Sequence, residues 1–487
     1  MNQLSQLSPK PLWSIFEKIC SIPHPSKHEQ KISAWIQQWA TDLGLNIKED
    51  NVGNLIIKKP ATEGMENKKG VILQAHMDMV PQKNSDKDHD FVTDPIEAYI
   101  DGDWVTANGT TLGADNGIGL SASLAVLASN DIKHGPIEVL VTIDEEAGMT
   151  GAFGLESGWL DGEILLNTDS EDEGEIYMGC AGGIDVNVKL PIEVEATRTD
   201  IRSYSLTLKG LRGGHSGVDI HLGRGNANKL LARFLKLHQQ DLDISLTAFD
   251  GGSLRNAIPR EANIHINVSA DNSAKLEQTV ASFQALLLSE LSIIEPNLEL
   301  SLEEISPEKQ QLSKATQFAL VNAVNACING VVRMSDEVEG VVETSTNLGV
   351  IKTEDNQLHI QCLVRSLIDS ARLNTQNMIS STFELVGASI ECTGAYPGWE
   401  PKTDSPIKDI LRETYQTMFG TLPNIMVIHA GLECGLFKDA YPHWDMVSFG
   451  PTICFPHSPD EKVKIDTVEP FYQLLLQVLE NIPNKEL

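Results

Sequence analysis

Basic side chains are scarce in this chain of 487 residues: 37 Lys and Arg stand against 68 Asp and Glu, so the net charge is −31. A charge of this sign repels nucleic-acid phosphates and anionic lipid surfaces, so neither partner is expected. Apolar runs of about 18 residues are absent, which excludes a transmembrane helix. Residues 1–10 lack the apolar stretch of a signal peptide, so we expect a cytoplasmic protein.

Cysteine is also sparse, and its residues are scattered along the sequence. The seven cysteines include no C-x-x-C pair, which argues against a disulfide framework and against a cysteine-type zinc site. The glycines between 102 and 119 match neither phosphate-binding loop pattern, which excludes nucleotide binding. No G-x-S-x-G occurs at a strand-to-helix turn, so a serine hydrolase of that type is excluded.

What is present is an alternation of short apolar runs with helix-like stretches. The runs at 71–75, 137–143, 164–166 and 446–449 predict strands. Apolar residues at helical spacing predict a helix ending near Leu43, with Gly44 as its stop, and another over 116–128. Strands separated by helices predict an α/β fold with a mostly parallel sheet.

The middle of the chain reads differently. Alternating runs such as 203–209 and 262–270 predict strands, and stretches such as 226–239 and 274–291 predict helices between them. Pro397, Gly398 and Pro401 mark a return to the first pattern. We therefore predict a discontinuous domain of residues 1–185 and 397–487, with an inserted α+β domain of residues 186–396.

Potential metal ligands follow the predicted strands and open one predicted helix. Each alone has an ordinary explanation, such as a capped histidine, a helix N-cap or a solvated acid. Together they offer histidine and carboxylate ligands, which suit two divalent cations such as zinc. From spacing alone His429 and His443 remain alternatives to His457. The candidates are His76, Asp78, Asp115, Glu145, Glu146, Asp169 and His457.

These residues lie within motifs. They are Gln-Ala-His-Met-Asp at 74–78, Leu-Gly-Ala-Asp-Asn-Gly at 112–117, Asp-Glu-Glu-Ala-Gly at 144–148, Asn-Thr-Asp-Ser-Glu at 167–171 and Phe-Pro-His-Ser-Pro at 455–459. The glycine-rich segment 210–217 and the segments 342–349 and 429–435 add to them. Over essentially its whole length the chain resembles the M20 metallopeptidase family, most closely its aminoacyl-histidine dipeptidase subgroup.

The resemblance implies a dizinc exopeptidase-like catalytic domain with an inserted lid and dimerisation domain. It implies that Asp115 bridges two metal ions, zinc first, with cobalt or manganese as alternatives. His76 and Asp169 would complete the ligands of one ion. Glu146 and His457 would complete those of the other, and the Phe-Pro-His-Ser-Pro motif is what selects His457.

The resemblance also implies three catalytic residues. Asp78 would accept a hydrogen bond from the far nitrogen of His76, which fixes the tautomer of that ring. Glu145 would be the general base that takes a proton from the attacking water. His215, in the lid, would stabilise the oxyanion and is expected to act in the same subunit or in the partner of a homodimer.

Three further residues are candidates for holding the substrate. Arg365 and Asn256 would bind its C-terminal carboxylate, since arginine offers a planar two-pronged donor. Glu433 would face its free ammonium group. Ser345 and Asn347 belong to a lid motif, but no role is predicted for them.

The predicted function is hydrolysis of small dipeptides, of the Xaa-His type and including β-Ala-His (carnosine), by metal-activated water. A tripeptidase and an N-acyl amino-acid deacylase of the same family are alternatives, and the acid at Glu433 favours the peptidase because a deacylase has no ammonium to hold. A catalytically idle relative that binds peptide or metal is the alternative from another class. An idle relative would be expected to have lost a ligand or the base, and here all of these positions are filled.

Overall fold

The computed structural model describes residues 4–402 and 404–485. The α-helices are α1 Lys10–Cys20, α2 Gln30–Asp42, α3 Ala114–Ala128, α4 Glu145–Gly148, α5 Thr150–Gly154, α6 Ala227–His238, α7 Ser273–Leu291, α8 Lys314–Ala326, α9 Asp369–Glu384, α10 Pro406–Phe419, α11 Cys434–Ala440 and α12 Ile465–Asn481. The first strands are β1 Asn46–Glu49, β2 Leu55–Lys59, β3 Val71–His76, β4 Ala98–Asp101, β5 Trp104–Ala107, β6 Ile137–Thr142, β7 Ile164–Asn167 and β8 Glu175–Cys180. The strands that follow are β9 Gly182–Pro191, β10 Val194–Ala196, β11 Ile201–Lys209, β12 Ser245–Gly251, β13 Ala262–Ser269, β14 Glu299–Ile305, β15 Gln310–Leu312, β16 Gly330–Met334, β17 Val342–Glu354, β18 Gln357–Ser366, β19 Ser389–Tyr396, β20 Asn424–Ile428, β21 Asp445–Ser448, β22 Ile453–Cys454 and β23 Lys462–Lys464.

The chain forms two compact units. Unit 1 runs up to Gly179, then over Pro401–Val427, and resumes at Leu432. Unit 2 comprises Cys180–Glu400 and Ile428–Gly431. The predicted domain limits, 1–185 with 397–487 and 186–396, are defined by sequence pattern and stay a prediction about folding domains.

Unit 1 is built on an eight-stranded sheet in the order β1-β2-β6-β3-β7-β21-β8-β20. Its centre is parallel: β3 pairs in parallel with β6 and β7, and β7 with β21. The outer pairs β1–β2 and β2–β6 are antiparallel. Every residue of β3, β6 and β7 is buried, as expected for parallel strands that are covered on both faces.

Helices supply the cover that makes this burial possible. Buried residues in α1 recur at Leu12, Phe16 and Ile19, which lie on one face of the helix. Helix α3 differs because it is buried from Ala114 to Leu127 on all sides, as its run of small and apolar residues permits. It therefore belongs to the interior of unit 1, with its N-terminus fixed close to the strand ends.

Unit 2 is built on an antiparallel sheet in the order β14-β11-β13-β12-β17-β18-β9-β19, with β16 also paired to β17. Apolar side chains alternate along β11 and β13, so one face packs against a core that includes residues of α6, α7, α8 and α9. The α/β fold class predicted from the sequence is confirmed, with a parallel centre in one sheet and antiparallel pairing in the other.

The predicted ends of two helices agree with the structure to within about one residue. Helix α2 ends at Asp42, and Gly44 takes a φ of +71°, a left-handed conformation that glycine adopts without a steric penalty. Asn226 caps α6 by accepting from the Lys229 N–H, so the helix begins one residue later than the predicted stretch. Within residues 4–402 and 404–485, no helix is both long and apolar enough to cross a bilayer.

Candidate active site

The strands at the centre of the unit 1 sheet direct candidate ligands to one edge. In the order β6-β3-β7-β21, β3 ends at His76, β6 is followed by Glu145 and Glu146, and β7 by Asp169. Asp115 lies in the first turn of α3. Parallel strands bring their carboxyl ends together, which is why residues so far apart in sequence meet here.

Two groups of possible ligands share Asp115. In the first, His76 Nε2 lies 3.3 Å from Asp115 Oδ1 and 3.3 Å from Asp169 Oδ1. In the second, His457 Nε2 lies 3.2 Å from Asp115 Oδ2 and 3.0 Å from Glu146 Oε2. The two oxygens of one carboxylate thus face two different histidines, an arrangement suited to a bridging ligand.

The carboxylates of this cluster raise the pKa values of its two histidines. Burial lowers the pKa of His76, but Asp169, Asp115 and Asp78 raise it well above its ordinary value. Hydrogen bonds to Asp115 and Glu146 raise the pKa of His457 to about 11. The surrounding carboxylates thus favour positive charge at both histidines.

The pKa values of the carboxylates are raised, which also reflects an excess of negative charge in the cluster. Burial and the charge of Asp115 raise the pKa of Glu146 to about 7, and burial raises that of Asp169 to about 6. Oε1 of Glu146 is buried and has no hydrogen-bond partner among the described residues. Histidine nitrogens and carboxylate oxygens at these distances fit a pair of borderline divalent cations.

Asp78 connects the two sides of the cluster, although not quite as the sequence predicts. The nearer acceptor for His76 Nδ1 is the backbone carbonyl of Asp78 at 3.0 Å, and the carboxylate oxygen Oδ1 lies at 3.4 Å. The Asp78 carboxylate also accepts the backbone N–H groups of Glu145 and Glu146 at 3.0 and 3.2 Å. It therefore orients the turn that presents both glutamates.

Glu145 and Glu146 are adjacent in sequence but differ in their surroundings. Glu146 Oε2 pairs with His457, whereas one carboxylate oxygen of Glu145 lies within 4.8 Å of possible ligand atoms of His76 and Glu146. Burial raises the pKa of Glu145 well above its ordinary value, and the charges of Asp169 and Glu146 add to this effect. A carboxylate with a raised pKa, close to the ligands but not paired with His457, suits a proton acceptor.

Glu433 lies in unit 1 and is fully buried. Its Oε2 accepts hydrogen bonds from Gln74 Nε2 at 2.6 Å and Thr142 Oγ1 at 2.8 Å. Within residues 4–402 and 404–485 its Oε1 has no hydrogen-bond partner. Burial raises the pKa of Glu433 to about 8. Its contact with a substrate ammonium stays a prediction, and an ammonium would have to approach the unpartnered Oε1.

Within unit 2, His215 is held in one tautomer by its own loop. The ring Nδ1 accepts the backbone N–H groups of Gly217 and Val218 at 3.2 and 3.1 Å, so the ring proton is on Nε2. Burial and the charge of Arg365 lower the pKa of His215 to about 4. The ring is therefore neutral near pH 7 and offers one N–H donor.

That donor is close to a second one. Arg365 Nη2 lies 3.5 Å from His215 Nε2, and Arg365 Nη1 donates to Tyr396 Oη at 3.0 Å. Arg365 is 6% exposed, and among the described residues no carboxylate forms an ion pair with it. A buried guanidinium is costly without an anion, so this pair of donors is suited to receive one from a ligand.

Two residues without a predicted role support this cluster from β17. Ser345 Oγ lies 2.7 Å from His429 Nε2, and Asn347 Nδ2 donates to the carbonyls of Arg255 and Ala257. Asn347 thereby holds the loop that carries the exposed Asn256. Residues at i and i+2 on a strand share a face, so Ser345 and Asn347 lie on the same side of β17.

The three histidines left open by spacing are separated by the structure. His457 joins Asp115 and Glu146, while His429 lies in unit 2 beside Ser345. His443 is exposed and contacts the ring of Tyr441. The geometry therefore brings His457, and neither alternative, to the other candidate ligands.

The cluster offers side chains that could hold metal ions, and comparison with known proteins identifies the class of protein. The sequence profile of peptidase family M20/M25/M40 matches residues 72–481. The chain belongs to this family and is a hydrolase acting on peptide bonds. The family and the enzyme class predicted from the sequence are confirmed.

Individual relatives narrow the comparison. The chain is 56% identical over 485 residues to the cytosol non-specific dipeptidase of Escherichia coli K12, with all of both chains covered. It is 62% identical to aminoacylhistidine dipeptidase from Vibrio alginolyticus, whose crystal structure matches with a TM-score of 0.93 and covers 100% of this chain and 99% of that one. A tripeptidase from Staphylococcus aureus shares the fold at 15% identity, with a TM-score of 0.62 and coverage of 98% and 99%.

Proposed function

We propose that this protein is a dinuclear metallo-dipeptidase that hydrolyses Xaa-His dipeptides, including β-Ala-His. The observation that carries the proposal is the pair of ligand groups joined through the two oxygens of Asp115, with Glu145 beside them. High identity to two dipeptidases over the whole chain supports the substrate class. The tripeptidase is related at the level of the fold alone.

The proposed ligands are His76 and Asp169 for one ion, Glu146 and His457 for the other, and Asp115 for both. Two bound divalent ions, zinc first, would acidify a water molecule and polarise the peptide carbonyl. Asp78 supports this arrangement because it contacts His76 and fixes the backbone of the segment that carries Glu146.

Glu145 is the proposed general base. Its carboxylate takes the proton of the attacking water and later delivers it to the leaving amine. The raised pKa serves both steps, because a group that binds protons weakly could not remove one and a group that binds them too tightly could not return it. The adjacent Glu146 is paired with His457, which leaves Glu145 free for proton transfer.

We further propose that unit 2 supplies the donors for the anionic parts of the reaction. The Nε2–H of His215 stabilises the oxyanion, and Arg365 with Asn256 binds the C-terminal carboxylate of the dipeptide. The neutral state of His215 and the absence of an ion pair to Arg365 within the described chain support these roles. Glu433 is the proposed partner of the substrate ammonium.

A homodimer in the cytoplasm is part of the proposal, and His215 acts in its own subunit or in the partner of that dimer. The related Escherichia coli protein is named a cytosol dipeptidase, which supports the location. The acidic net charge of −31 suits a protein without nucleic-acid or membrane partners.

The test is metal analysis of the purified protein together with hydrolysis of a substrate panel. The panel contains β-Ala-His, Gly-His, Ala-Ala, a tripeptide and an N-acetyl amino acid. We expect two divalent ions per chain, turnover of the dipeptides with Xaa-His favoured, and no turnover of the N-acetyl compound. Preferred cleavage of the tripeptide or of the N-acetyl compound would replace the proposal by one of its two family alternatives.

A further inference from the structure

A buried glutamate outside the two ligand groups fixes the backbone of Asp115. Glu461 is 2% exposed and lies four residues after His457 in the same segment. Its Oε2 accepts hydrogen bonds from the N–H groups of Leu112 and Gly113 at 2.8 and 3.1 Å. Its Oε1 accepts from those of Ala114 and Asp115 at 2.8 and 3.2 Å.

All four donors are consecutive: Leu112 and Gly113 lead into helix α3, and Ala114 and Asp115 are its first two residues. The first N–H groups of a helix have no partner within the helix, so a partner from elsewhere must hold them. This turn is not regular helix, because Asp115 has a φ of −82° and a ψ of 106° and Gly113 takes a φ of +74°. Its N–H groups are instead accepted by the Glu461 carboxylate.

The same hydrogen bonds indicate that Glu461 is not itself a metal ligand. A carboxylate has about four lone-pair directions, and here its two oxygens accept four N–H groups. No strong acceptor site is left for a metal ion, although Glu461 follows His457 closely. It is a support for the ligands and not a ligand.

We propose that Glu461 is the positioning residue of the metal centre. It joins the segment that carries His457 to the backbone that carries Asp115, and so sets the separation of two ligands of one ion, His457 Nε2 and Asp115 Oδ2, which lie 3.2 Å apart. Because Asp115 also faces His76, displacement of Asp115 would weaken the binding of both ions. This inference rests on the proposed dinuclear site.

Glu461→Gln is the central test. Glutamine has nearly the same volume as glutamate. Its NH2 group, however, would replace one oxygen that accepts two backbone N–H groups, so two donors would face a donor. Loss of a residue that orients metal ligands typically costs about 10–100-fold in metal affinity. We expect the zinc Kd, measured by competition with a chromophoric chelator, to rise by that factor. We also expect the visible absorption of the cobalt-substituted protein to change.

Glu138→Gln is the matched control. Glu138 lies in strand β6 of unit 1, is 5% exposed, and its Oε2 accepts the N–H groups of Asp161 and Gly162 at 2.8 and 2.7 Å. Both variants should unfold at a lower temperature than the wild-type protein when metal-free. Only Glu461→Gln should lose zinc affinity, whereas a purely structural role would make the two variants alike.

Glu461→Asp covers the case in which the amide variant does not fold. It keeps the charge and both acceptor oxygens on a shorter side chain, so its zinc Kd should lie between those of the wild-type protein and the amide variant. A wild-type Kd in either Glu461 variant overturns the inference while the dinuclear site stands. Fewer than two zinc ions in the wild-type protein overturns the proposed function, and this inference with it.

Discussion

The two units gather opposite kinds of polar atoms. At the edge of the parallel strands in unit 1, carboxylate oxygens and histidine nitrogens converge with an excess of negative charge. In unit 2, the antiparallel sheet and its loops bring together the donors His215 and Arg365, and no carboxylate in the described part of the chain forms an ion pair with Arg365. The first set is suited to binding cations and the second to binding an anion.

The comparison shows how each unit carries part of the chemistry. The proposed metal ligands and the proposed base lie in unit 1, so defects there should appear as lost metal or lost proton transfer. The proposed donors to the oxyanion and to the substrate carboxylate lie in unit 2, so defects there should leave metal binding intact. The variants below separate these two kinds of effect.

Asp115→Ala should have the largest effect. It removes the one carboxylate that faces both His76 and His457, so both ions should bind weakly and activity should fall below detection. Metal content after purification and chelator competition measure this. Glu173→Ala, an exposed acid in the same unit, is the control and should keep both ions. Two tightly held ions in Asp115→Ala would show that it is not the bridge.

Glu145→Gln should separate proton transfer from metal binding. The amide keeps the shape but accepts no proton, so kcat should fall by about 10²–10⁴-fold, while about two ions stay bound per chain. The neighbouring Glu146→Gln is the matched comparison, because it should lose metal as well as activity. Normal turnover in Glu145→Gln would refute its role as the base.

His215→Ala tests unit 2. Loss of one oxyanion donor typically costs about 10²–10³-fold in kcat. Zinc content and unfolding temperature should hardly change. His221→Ala removes an exposed histidine of the same unit and should keep full kcat. An increase in KM with unchanged kcat would assign His215 to substrate binding instead.

Mixing His215→Ala with Glu145→Gln decides which subunit donates the histidine. If His215 acts in the partner subunit of the dimer, a mixed dimer contains one complete site and some activity returns. If it acts in its own subunit, the mixture stays as inactive as its components. Either result leaves the assignment of the base untouched.

The pH dependence of zinc affinity should sharpen the picture of unit 1. Ligands must be deprotonated to bind, and the pKa of Glu146 is about 7 and that of Asp169 about 6 in the metal-free protein. Each group that loses a proton on binding adds about a tenfold change in Kd per pH unit. Affinity should therefore fall more steeply below pH 6 than above pH 7.5, and a constant slope would contradict the raised pKa values.

Ser345→Ala should have the smallest effect. It removes the partner of His429 Nε2, a buried nitrogen, and an unsatisfied buried group costs about 1–3 kcal/mol in the free energy of unfolding. Denaturant unfolding measures the loss. Zinc affinity should not change, since the change is confined to unit 2.

The sequence predicted the ligand-bearing strands well because apolar runs that are buried on both faces leave a strong pattern. The runs before His76 and Glu145 became β3 and β6 within one residue. Residues that act through backbone contacts left no such pattern. Glu461 and Asn347 are ordinary polar residues in sequence, and only the fold shows which N–H and carbonyl groups they meet. Likewise, the nearer acceptor for His76 Nδ1 is the backbone carbonyl of Asp78 and not its carboxylate, and sequence spacing cannot distinguish the two.

The order of strands in the unit 1 sheet has a consequence for synthesis of the protein. Strand β21 lies beside β7, yet the ribosome makes it after the whole of unit 2, and His457 emerges later still. Protein domains tend to fold as units while the chain is being made. The chain therefore contains His76, Asp115 and Asp169 well before it contains His457. The second of the two proposed ligand groups becomes complete only after all of unit 2 has been synthesised.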